Sequence, residues 1–120
     1  MSIDFVIAKN IDEGKKIDTS VQLEEYISDF LWKNRSILES DIDILIKIDP
    51  YNHKLFTHKE IKKLLIESEF LLKKETIAFL ENEFTKQNVN KDEFIKFAID
   101  LKNMCELALK TNKTIVSIAD

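Results

Sequence analysis

Apolar residues recur along this chain with two periods. Ile3, Phe5 and Ile7 fall on one face of an extended Ser2–Lys9, and the β-branched and aromatic content there predicts a strand. Asn10 to Asp18 reads as a loop. The period then becomes helical: Thr19-Ser20 with Gln22 forms a capping-box-like start, and Leu23, Ile27, Phe30 and Leu31 recur at helical spacing to about Asn34.

Residues 37–48 fit both periods. Ile42, Ile44, Ile46 and Ile48 alternate as in a strand, whereas Leu38, Ile42, Leu45 and Ile46 fit a helical stripe. A helix is favoured because the next element also begins as one: Thr57-His58-Lys59-Glu60 is a capping box leading into Ile61, Leu64, Leu65, Leu71 and Leu72. A break is expected near Lys74, after which Ile77, Leu80 and Phe84 carry a further helix to about Lys86. Asn88-Val89-Asn90 is a turn, and Asn90 followed by Glu93 starts the last helix, with Phe94, Phe97, Ala98, Leu101, Cys105 and Ala108 on one stripe. Thr114–Ala119 has the β-branched content of a closing strand.

A lone strand leaves backbone groups unpaired, so the two terminal strands are expected to pair. The pattern predicts an α+β fold, mostly helical, with four to five helices on a small antiparallel sheet made from the N- and C-terminal strands; a third strand around Ile42 is the variant. At 120 residues the chain fits one domain, 1–120, able to bury a core without a staple.

One glycine and one proline in the whole chain fit a helix-rich globule rather than a disordered tail or turn-rich barrel. Charged residues interrupt every apolar run well short of the roughly 20 residues that span a bilayer. The single cysteine and the absence of a basic start with a long apolar run point to the cytoplasm. A net charge of −4 argues against a nucleic-acid partner. Residues 1–60 hold 12 acidic against 8 basic residues and residues 61–120 hold 10 of each, so the excess lies in the first half, where it suits a basic partner or a solvated helix face.

The densest local signal is Asp49-Pro50-Tyr51-Asn52-His53-Lys54, followed by Leu55 to Glu60. These twelve residues have the length of an EF-hand loop, with Asp first and Glu last. Calcium needs oxygen ligands at the third and fifth positions and glycine at the sixth, and these are Tyr51, His53 and Lys54. A degenerate metal-binding regulatory loop is therefore the alternative reading, and Asp49 and Pro50 ending one helix while Thr57 caps the next is the structural one. His53 and His58 match no standard ligand spacing, and no cofactor or metal is expected.

Cys105 lies on an apolar stripe where a thiol stays protonated, and Ser28, Ser36, Ser40 and Ser117 lack a glycine-flanked elbow. With Gly14 the only glycine there is no phosphate-cradling loop, so no enzyme activity is expected. The pairs Glu24-Glu25, Asp41 with Asp43, and Glu81 with Glu83 point in different directions and read as solvated faces. Trp32 is expected in the core, and Tyr51 suits an interface anchor.

The run Ile48-Asp49-Pro50-Tyr51-Asn52-His53-Lys54-Leu55-Phe56-Thr57 resembles an I-D-P-Y-G-D-T-x-F-N signature of small bacterial immunity-type proteins, some encoded beside polymorphic or contact-dependent-inhibition toxins. Asn52, His53, Lys54 and Thr57 stand where the signature has glycine, aspartate, threonine and asparagine. The ending Thr114–Asp120 is similar to the strand closing in Gly-Asp of such chains. The resemblance implies a cytoplasmic, non-enzymatic inhibitor that binds a cognate toxin, basic if a nuclease. Glu24, Glu25, Asp29, Asp41, Asp43 and Tyr51 are then the candidates for its contact face.

Overall fold

A computed structural model describes residues 2–119, without the side chains of residues 39 and 40. In chain order the elements are β1 (Ile3–Ile7), α1 (Ile11–Gly14), β2 (Val21–Leu23), α2 (Glu25–Lys33), α3 (Arg35–Leu38), a 3-10 turn (Glu39–Ile42) and α4 (Asp43–Lys47). They continue with β3 (Lys54–Phe56), α5 (His58–Leu71), α6 (Lys74–Lys86), α7 (Lys91–Lys110) and β4 (Ile115–Ala119). The fold is α+β and mostly helical, as the sequence pattern predicts. The helices outnumber the four to five expected because three short ones, α1, α3 and α4, occupy the loop at 10–18 and split the segment at 37–48.

The terminal strands pair antiparallel from Ile3↔Ala119 to Ile7↔Ile115 and form the middle of a four-stranded sheet ordered β2-β1-β4-β3. Two sequence expectations change here. Val21–Leu23 pairs with β1 as a strand instead of opening a helix, and α2 begins at Glu25. The third strand around Ile42 does not form; the second edge is β3, which pairs with β4. Both edge strands are three residues long, which limits the backbone they leave unpaired.

Alternation puts Ile3, Phe5 and Ile115 into the main core beneath the long helices, while Val6, Ala8 and Val116 face the other way and are covered from α1. Gly14 makes that cover possible: a Cβ there would meet Val6 Cγ2 at 3.2 Å, Ile118 Cδ1 at 3.3 Å and Val116 Cβ at 3.4 Å. In the main core Phe30, Phe84 and Phe94 join α2, α6 and α7, with ring centroids 5.0–5.6 Å apart. α7 buries the stripe read from the sequence, Phe94 through Ala108.

The Thr57 capping box is present: Thr57 Oγ1 accepts from Glu60 N at 3.2 Å, and Thr57 N donates to Glu60 Oε1 at 3.0 Å. Ser117 on β4 is buried, yet its hydroxyl has no hydrogen-bond partner among the described residues. A desolvated hydroxyl without a partner costs stability, so Ser117→Ala is expected to stabilise the fold by about 0.5–1 kcal/mol. Chemical denaturation checks this; a variant less stable than wild type would contradict it.

Candidate functional site

The Asp49 turn is built by its own side chain. Asp49 Oδ1 accepts from Tyr51 N at 2.8 Å and Oδ2 from Asn52 Nδ2 at 2.6 Å. His53 Nδ1 accepts from Ala119 N at 3.0 Å, and Lys54–Phe56 pairs with Ile115–Ser117. The two segments that carry the sequence resemblance are thus neighbours in space; Asp120, the last residue of that ending, lies outside the described residues. Glu60 pairs with Lys54 at 2.8 Å, and that bond is the main cause that holds its carboxyl below the ordinary value. The first and last carboxylates of the EF-hand-length stretch are therefore engaged locally, and no group of three His, Cys, Asp or Glu side chains among the described residues is placed to hold a metal ion.

The six predicted contact residues fall in four separate places along the fold. Glu24, Glu25 and Asp29 are exposed at the start of α2 and along it. Glu24 borders a hollow between that end of α2 and α7, where Tyr26 hydrogen-bonds Glu93 and Lys96 pairs with Asp100 at 2.7 Å. Asp41 is exposed in the 3-10 turn, and Asp43 at the start of α4 pairs with Lys63 at 3.6 Å. Tyr51 is 73% exposed on the turn before β3.

Trp32 is a correction: it is 52% exposed, with the Arg35 guanidinium 3.9 Å from its ring centre. The core stripe of α2 is Ile27, Phe30 and Leu31, and Trp32 projects about 100° further round the helix than Leu31. Cys105 is buried as expected, and burial, followed by the nearby Glu106 charge, pushes its pKa up to about 12.

Sequence reasoning missed the apolar surface that Asp41 borders. Phe79 on α6 is 70% exposed and Ile66 on α5 is 64% exposed, with Ile37 and the half-buried Phe70 beside them. They line two adjoining hollows of about 710 and 410 Å³ that share Asp41, Phe70 and Lys73. Asp41, Glu69 and Glu75 rim them without ion-pair partners among the described residues. Of the rim cations, Lys63 is held by Asp43 and Lys73 lies 5.8 Å from the Phe70 ring centre. The signal was available: Phe79 falls off the stripe of Thr76, Leu80 and Phe84, and Ile66 off that of Ile61, Leu64 and Leu71.

No helix among the described residues is long and apolar enough to cross a membrane. No protein-family model, curated protein or solved structure matches the chain.

Proposed function

We propose that this protein is a cytoplasmic, non-enzymatic binding protein of the toxin-immunity type, which neutralises a cognate bacterial toxin domain by occupying it. The observation that carries the binding part of this reading is the groove of Ile37, Ile66, Phe70 and Phe79 with carboxylates on its rim. Contiguous exposed apolar side chains with a polar border are the anatomy of a protein-interaction surface, and aromatic anchors dominate the energetics of such surfaces. The toxin part rests on the likeness of residues 48–57 and 114–120 to immunity-type chains. A net charge of −4 supports it, because long-range attraction would speed encounter with a basic toxin.

The test is co-expression with the toxin-like reading frame that this reading places beside the gene. Growth is expected to be restored by the wild-type chain and not by Ile66→Ser/Phe79→Ser. Both residues are exposed, so the double variant keeps its fold. Failure of the wild-type chain to protect, or the absence of such a reading frame, overturns the reading.

A further inference from the structure

The groove also bears on the form of its occupant. Its long walls are the outer faces of α5 and α6, whose mid-segment backbone groups are bonded within the helix, and α3 and the 3-10 turn contribute lining side chains. Such walls offer side chains and no strand edge. A segment that enters must satisfy its own backbone hydrogen bonds, and a helix does so.

Along α5 the lining positions Lys63, Ile66 and Phe70 are spaced by three and four residues, forming one stripe of about 10 Å that matches two turns of a partner helix. Ile37, Asp41 and Phe79 line the adjoining hollow together with Phe70. The apolar floor calls for aliphatic or aromatic side chains at i, i+3 or i+4, and i+7. The unpaired Asp41, Glu69 and Glu75 call for lysine or arginine flanking that stripe, since both rim lysines already have partners.

We infer that the groove between α3, α5 and α6 receives a basic amphipathic helix of the partner protein. The inference rests on the binding reading above and specifies the partner's chemistry at the same surface.

The probe is a synthetic 18-residue helix with leucines on one stripe and lysines elsewhere. Controls are the same composition in scrambled order and a leucine/glutamate version. Amide NMR of the full chain is expected to show saturable shifts centred on residues 37, 41, 66, 70 and 79. The lysine helix should bind at least tenfold more tightly than either control, and Ile66→Ser/Phe79→Ser should weaken it at least tenfold. Shifts centred elsewhere, equal binding of the controls, or no binding overturns the inference. So does a concentration-dependent dimer that the double variant abolishes, because a second copy would then fill the groove. The two readings fail separately: protection from the toxin that needs Phe79, without helix binding, removes the helix alone. Helix binding at the groove in a chain that gives no protection removes the immunity reading and leaves the helix site standing.

Discussion

Replacing Phe94 with alanine is expected to lower the unfolding free energy by about 3–5 kcal/mol. The side chain is fully buried, its ring lies 5.6 Å from Phe30 and 5.2 Å from Phe84, and both contacts are edge-on. Truncation therefore removes apolar burial and two aromatic contacts, and it leaves a void where α2, α6 and α7 meet. Domains of this size are stable by about 5–15 kcal/mol, so the variant should sit near the edge of folding. Urea unfolding checks this through a lower midpoint at unchanged slope. Phe79→Ala is the contrast: with its ring 70% exposed, the change should stay within about 0.5 kcal/mol of wild type. If both variants lost the same stability, the division between core and surface phenylalanines would be wrong.

Glu67→Ala is expected to cost about 2–4 kcal/mol. Glu67 is a buried carboxylate on α5 whose Oε2 accepts from Ile44 N and Oε1 from Leu45 N, both at 3.0 Å. These are the N–H groups that a side chain at the N-cap would normally satisfy, and Ile42, at the N-cap of α4, cannot do so. Glu67 thus caps α4 from another element, and alanine leaves one buried and one half-buried donor without acceptors. Glu67→Gln keeps one acceptor and should cost less.

Burial is the first cause that raises the Glu67 pKa above its ordinary 4.5, against the lowering by its two backbone bonds and Lys63. The folded chain then holds this proton more tightly than the unfolded chain. The associated stability is full below pH 4.5 and is lost as pH rises through the raised value. Glu67→Gln should remove that downward slope, and a wild-type slope retained in the glutamine variant would assign it to another group.

Much of the fold is legible locally. The Thr57 box, the Asn90 cap and the α7 stripe announce themselves within a few residues, and the terminal strands do so by composition. β2 and β3 are not legible, because three residues carry almost no period. Each becomes a strand through its partner: Val21 pairs with Phe5, and Leu55 with Val116, far along the chain. α1 was readable in principle, since Asn10 Oδ1 accepts from Glu13 N at 2.8 Å, an N-cap with its acidic third residue.

The contact surface is harder to read. Exposed carboxylates are found easily by composition, whereas the exposure of Phe79 and Ile66 depends on which faces of α6 and α5 the tertiary packing covers. Asp41 is the predicted contact residue that the structure brings to that groove. Glu67 was also visible in outline, as a carboxylate next to Ser68 on an otherwise apolar stripe.

The central claim is that the Ile66–Phe79 groove is where this protein holds its partner. Its most direct measurement is calorimetric titration of the toxin domain proposed as its partner with the wild-type chain and with Ile66→Ser/Phe79→Ser at one ionic strength. The account predicts about thirtyfold or greater weakening in the double variant at an unchanged melting temperature. Equal affinities for the two chains would contradict it.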